Sequence, residues 1–205
     1  MSDPEISGVP DLEDFKNLLL ASAVTGLAFA AFYSDFSVQS LSFTVVASGL
    51  IIFSREVGVR TAVNLLDGYV DLEVSSSGST TTLFGAIISV ATGLGVILLF
   101  PLYSEVSRKD FENWGKEIDV IWSRYEFYVS ALGIVALLLS WLVVYSLGFN
   151  KLAQMYGIFA FFQMMPFDYS GIPTGPLDGA YIIRWSGFYY LTLTGLSLLS
   201  IVLTV

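Results

Sequence analysis

Arg55, Glu56, Arg60 and Asp178 are the residues on which chemistry could rest, because each lies inside or beside a long apolar stretch. An ionisable side chain in such a setting is costly, and it persists where it is paired or where it does work. The chain has no histidine and no cysteine. Ser-His-Asp and Cys-His machinery, an imidazole base, disulfides and Cys- or His-ligated metals are therefore excluded. Carboxylates, hydroxyls, Arg, Lys and Tyr are what remain.

Arg55 and Glu56 fall near the middle of a helix expected from Leu41 to Leu66. Arg60, closer to its end, is expected to reach the membrane interface by snorkelling. Asp178 sits in Pro173-Thr174-Gly175-Pro176-Leu177-Asp178-Gly179, where prolines and glycines break the helix. Broken backbone at membrane depth is tolerated where it lines a cavity or is buried in protein, which makes Asp178 a site candidate.

The elements that must position these residues follow from the charge-free runs. A bilayer core about 30 Å thick needs about 17–25 apolar residues per helix. Six stretches lack Asp, Glu, Lys and Arg: Asn17–Ser34, Phe36–Ser54, Val74–Ser104, Phe127–Asn150, Leu152–Phe167 and Trp185–Val205. In 205 residues, 55% of them apolar and 13% charged, too little chain is left to bury six such helices in water. The expectation is an all-α polytopic membrane protein with about six transmembrane helices, residing in the lipid bilayer of an archaeal or bacterial cell membrane.

Residues 1–16 read as a solvated acidic arm, unlike the basic start of a signal peptide, and residues 17–205 as a single transmembrane domain. Tyr69 to Thr82 alternates and is rich in Val, Ser and Thr, with Gly78 at its middle, which predicts a small β-hairpin. A helix is expected over Leu83–Tyr103. Ser104 to Glu126 carries Phe111, Trp114, Ile118, Ile121 and Trp122 at helical spacing among mixed charges, the pattern of an amphipathic interfacial helix. Its four basic residues place that side at the cytoplasm. The net charge of −9, without a basic cluster, disfavours nucleic-acid binding.

Phe162-Gln163-Met164-Met165-Pro166-Phe167, then Pro176-Leu177-Asp178-Gly179, resembles the Asn-x-x-Pro...Pro-Leu-Asp-Gly motif of the site-2 protease family, with Gln163 where that motif has Asn. Those are intramembrane zinc metalloproteases. The family's earlier His-Glu-x-x-His helix binds zinc through both histidines, together with the Asp of Leu-Asp-Gly, and uses the Glu as general base. The matching stretch here is Arg55-Glu56-Val57-Gly58-Val59, which keeps the Glu and a frequent Gly and replaces both histidines with Arg55 and Val59. The order of elements over residues 41–186 is also similar to the family. The family's Gly-Pro-x-x-Asn element is not matched by Ala131-Leu132-Gly133-Ile134-Val135-Ala136.

The resemblance implies a site-2-protease-like core with a degenerate site. No catalytic residue and no zinc or other cofactor are then expected, and the Arg55 guanidinium is expected to bridge Glu56 and Asp178 in an ion pair. Gly58, Gln163, Pro166, Pro176, Leu177 and Gly179 would shape the surrounding groove. The function implied is that of an inactive homologue, a scaffold or complex subunit that holds another membrane protein or transmembrane segment, with the hairpin open to strand addition. Two alternatives stand beside it. One is an active intramembrane protease with an atypical site, for which Ser54, Ser89, Ser130 and Lys151 are available. The other is a small transporter or ion-pathway protein, motivated by the broken helix and the buried carboxylates.

Overall fold

The computed structural model describes residues 11–66, 68–108, 118–167 and 176–204. In chain order the elements are α1 (Leu12–Phe32), α2 (Val38–Leu65), β1 (Gly68–Val74), α3 (Ser76–Thr92), β2 (Leu102–Arg108), α4 (Ile118–Ser146), α5 (Asn150–Gln163), α6 (Asp178–Trp185) and α7 (Gly187–Val202). α2 lies against both α1 and α4, and α4 also meets α5 and α6.

α1 starts five residues ahead of the sequence expectation of a solvated arm through Lys16. Asp11 and Asp14 form a reciprocal capping box: the Asp14 N–H donates to Asp11 Oδ1 at 2.7 Å, and the Asp11 N–H to Asp14 Oδ2 at 3.1 Å. Each side chain satisfies a backbone donor that the first helical turn leaves open. Residues 1–10 of the expected arm lie outside the described residues. α1 and α2 are joined by a tight connection in which the Ser37 N–H donates to Asp35 Oδ1 at 3.0 Å and Ser37 caps α2. The Ser37 backbone bond is the main reason that the Asp35 carboxyl is held below the usual carboxylate range.

The hairpin expected within Tyr69–Thr82 does not form. β1 instead pairs antiparallel with β2, in the register Gly68↔Arg108 through Val74↔Leu102. Ser76–Thr92, which includes the presumed turn at Gly78, is helical. The Ser75 side chain accepts the Gly78 N–H at 2.9 Å and so starts α3 where the turn was expected. α3 ends at Gly93, whose φ of +66° is a left-handed cap that glycine adopts without a Cβ penalty. The third apolar run is thereby divided into a helix, an irregular segment and a strand, in place of one helix to Tyr103. The interfacial helix expected over Ser104–Glu126 is also divided. Its start belongs to β2, its end to α4, and 109–117 lie outside the described residues.

Among the described residues, three helical stretches are long and apolar enough to cross a membrane: Leu12–Phe32, Val38–Leu65 and Trp122–Ser146. α3, α5 and α7 run 17, 14 and 16 residues, at or below the shortest length that spans a bilayer core of about 30 Å. The expected count of six spans is therefore not met by helix length. The core is packed from Ala28, Phe29, Ile51, Ile52, Ile134, Leu137 and Phe159. Leu19, Val46, Leu50, Phe53, Leu139 and Val143 face outward on α1, α2 and α4, as Leu191 does on α7. An outward apolar surface of this extent suits lipid better than water.

Candidate ion-pair centre

α2 carries Arg55 and Glu56 at its middle, α6 begins at Asp178, and β2 places Ser104 between them. Arg55 Nε donates to Asp178 Oδ2 at 2.8 Å, and Nη2 donates to Asp178 Oδ1 at 2.7 Å, a two-pronged match of guanidinium to carboxylate. Arg55 Nη1 donates to Glu56 Oε1 and to Ser104 Oγ, both at 2.7 Å. The Ser104 hydroxyl in turn donates to Glu56 Oε1 at 3.0 Å. Arg55 is 1% exposed, so the whole arrangement is closed to solvent. Asp178, in the first turn of α6, also sits at the positive end of that helix.

Local backbone explains how Asp178 reaches this point. The Leu177 N–H donates to the Phe167 carbonyl at 3.0 Å, which ties the entrance of α6 to the chain after α5. Gly179 lies directly against the Met164 and Met165 carbonyls, where any Cβ would collide with backbone. A glycine after the aspartate therefore lets the start of α6 rest on the end of α5. Pro176 and Leu177 are buried here, whereas Pro166 is exposed in the turn. Gln163 is fully buried, and neither amide atom has a hydrogen-bond partner among the described residues.

Val59 lies one turn beyond Arg55 in an apolar cluster with Val63, Val70, Tyr125 and Val129. α2 and α4 approach closely at this level. A Cβ on Gly58 would lie 2.5 Å from the Leu132 carbonyl oxygen, and one on Gly133 would lie 2.9 Å from Val59 Cγ2 and 3.5 Å from Arg55 Cγ. Two glycines thus set the wall against which Arg55 extends.

Arg60 does not snorkel. It is buried, and its Nη2 donates to Asp14 Oδ2 at 2.6 Å. Asp14 Oδ1 accepts the Leu72 N–H at 2.9 Å, and Asn17 Nδ2 donates to the Leu72 carbonyl at 2.7 Å. Both outward-facing backbone groups of Leu72 are occupied by α1 side chains, so the β1 edge is closed to an added strand at that residue. Asp14, Asn17 and Ser104 are the members of this network that sequence reasoning missed. The Asp-x-x-Asp spacing ahead of an apolar run was the available signal for Asp14. Ser104, the last polar residue of an apolar run, carries no such signal.

The residues present do not fit a zinc ion. Both Asp178 oxygens and one Glu56 oxygen are committed to Arg55, a cation stands between the two carboxylates, and Val59 has no donor atom. Among the described residues, no three His, Cys, Asp or Glu side chains gather as a metal site would need. Ser54 Oγ is within 2.9 Å of Tyr156 Oη and shares its proton with the Leu50 carbonyl, an ordinary helix contact. Lys151 lies over the Tyr33 ring, 4.5 Å from its centre. Neither of these contacts joins a serine to a lysine. Comparison of the chain with models of protein families, with curated proteins and with solved structures gives no match.

Proposed function

We propose that the protein is a multi-pass component of a cell membrane with a site-2-protease-like core, and that it serves as a non-catalytic scaffold or complex subunit holding another transmembrane segment. The observation that carries this reading is the two-pronged Arg55–Asp178 contact. A guanidinium takes the position between the aspartate and Glu56 and engages one oxygen of the carboxylate that would act as base. The outward apolar surface of α1, α2 and α4 supports a lipid setting. The short helices α3, α5 and α7 then complete the bundle as partial spans against them.

The test uses the full chain purified from membranes. It combines elemental analysis for zinc, incubation with single-span transmembrane peptides followed by mass spectrometry, and affinity isolation from native membranes. The expected result is intact peptide, zinc well below one per chain, and one membrane partner at fixed stoichiometry. One zinc per chain, or time-dependent cleavage of the peptide, overturns the reading.

A further inference from the structure

A pocket of about 450 Å³ opens between α1 and α2, within the size range of small-molecule sites. Phe15 and Leu18 of α1 and Phe53 and Val57 of α2 form its apolar walls, and Glu56 and Arg60 stand on its lining. Phe15, Phe53 and Val57 are about half exposed, so the pocket is reached from the apolar outer surface of the molecule.

The charges around it do not balance. Arg55 and Arg60 face three carboxylates, Asp14, Glu56 and Asp178. Arg55 satisfies both Asp178 oxygens and Glu56 Oε1, while Arg60 Nη2 and two backbone N–H groups satisfy Asp14. The surplus falls on Glu56 Oε2. Glu56 is 5% exposed, its Oε2 accepts no hydrogen bond among the described residues, and Arg60 Nε stands 3.9 Å from it, beyond hydrogen-bond reach. A buried carboxylate oxygen without a donor is costly, and a ligand that supplies the donor recovers that cost. Glu56 lines the pocket, and Oε2 is the carboxylate oxygen that Arg55 and Ser104 leave open. At the same end of the molecule burial first, then neighbouring carboxylates that include Asp14 and Glu105, raises the Asp71 and Glu73 carboxyls. The approach therefore favours a cation.

We propose that this pocket binds a primary ammonium group carried on an apolar chain, with the ammonium donating to Glu56 Oε2 and the chain lying against Phe15, Leu18, Phe53 and Val57. The inference goes beyond the scaffold reading and stands on the pocket alone, so the two can fail separately. Arg60 does not repel the ligand's charge decisively, because Asp14 neutralises it at 2.6 Å.

The experiment places the full chain in phosphatidylcholine nanodiscs and measures binding of dodecylamine and of dodecanol by native mass spectrometry. One dodecylamine per chain is expected, bound about tenfold or more tightly than dodecanol, as a hydrogen bond to a charged group implies. Glu56→Gln, which keeps an acceptor for Arg55 but removes the surplus charge, is expected to erase the preference. Val57→Trp, on the exposed wall, is expected to block dodecylamine while leaving the fold intact. Adding phosphatidylethanolamine tells the source apart: displacement of dodecylamine identifies a lipid headgroup, and its persistence identifies a free long-chain amine. Equal binding of dodecanol, or unchanged dodecylamine binding by Val57→Trp, overturns the proposal.

Discussion

Arg55 on α2 and Asp178 at the start of α6 are 123 residues apart in sequence and are joined by two hydrogen bonds of 2.8 and 2.7 Å with almost no solvent contact. Such a pair is a poor source of net stability compared with an apolar replacement, yet breaking it is severe, because the remaining charge is stranded in low dielectric. Its structural consequence is to fix where the chain re-enters the bundle after α5.

Removing one partner should therefore be far worse than removing both. Arg55→Met is expected to lose about 3–5 kcal/mol, since Glu56 and Asp178 lose their shared cation. Arg55→Met combined with Asp178→Asn should recover part of that loss. Denaturation in detergent followed by circular dichroism, arranged as a double-mutant cycle, measures the coupling. A double variant as unstable as the sum of the singles would contradict it.

The visibility of this centre in the sequence has a physical basis. Arg55 and Glu56 interrupt an apolar run at the middle of a helix, and Asp178 lies between helix breakers, so all three stand out as charges needing partners. Asp14 is equally buried, but it is one of five acidic residues in the first fourteen and merges with what reads as a solvated arm. Strand pairing was obscured in a different way. β1 has the alternation of a strand, but its partner β2 lies beyond a whole helix and begins inside a run whose composition equally suits a transmembrane span. Local pattern specifies a strand's tendency and says nothing about a distant partner. The apolar runs mark the helices well, whereas their ends depend on single events such as the left-handed Gly93.

The close approach of α2 and α4 yields a second prediction. Gly58→Ala places a methyl group 2.5 Å from the Leu132 carbonyl oxygen and 2.7 Å from Ala136 Cβ, both on the helix opposite. The helices must separate, at a cost of about 1–3 kcal/mol. Gly187→Ala meets nothing within 4 Å and should be tolerated. Melting temperatures of the two purified variants decide the matter, and equal midpoints would rule out the tight contact.

The sheet supplies a pH-dependent prediction. Asp71 faces Glu105 directly across the β1–β2 ladder, and like charges so placed oppose pairing. Burial first, then neighbouring carboxylates including Asp14 and Asp11, raises the Asp71 carboxyl above its ordinary range. A carboxyl raised in the folded state contributes stability below its unfolded value of about 3.9, and that contribution is lost as pH rises through the folded value. Asp71→Asn should thus be more stable than the parent at pH 7, by about 0.2–1 kcal/mol, with the gap closing as pH falls toward the ordinary Asp range. Thermal midpoints of both proteins between pH 7 and pH 4 provide the check, and a gap that widens on acidification would contradict the assignment.

Asp14 ties three elements together, and its two oxygens do separable work. Oδ2 meets Arg60 of α2 and the Asp11 N–H, whereas Oδ1 accepts the Leu72 N–H of β1. Asp14→Asn keeps one carbonyl acceptor but removes the charge opposite buried Arg60, whereas Asn17→Ala removes only the donor to the Leu72 carbonyl. An uncompensated buried charge costs about 3–5 kcal/mol, and a carbonyl left without its donor about 1–3 kcal/mol. Asp14→Asn should therefore be the more damaging change. The two should also differ in kind under amide hydrogen exchange. Asn17→Ala is expected to speed exchange within β1 while α2 stays protected, because the strand edge loosens and the Asp14–Arg60 pair persists. Asp14→Asn is expected to loosen both α2 around Arg60 and the strand, since the residue it alters is the link between them. Protection of α2 that survives in Asp14→Asn would show that the α1–α2 packing, and not the ion pair, holds Arg60 in place.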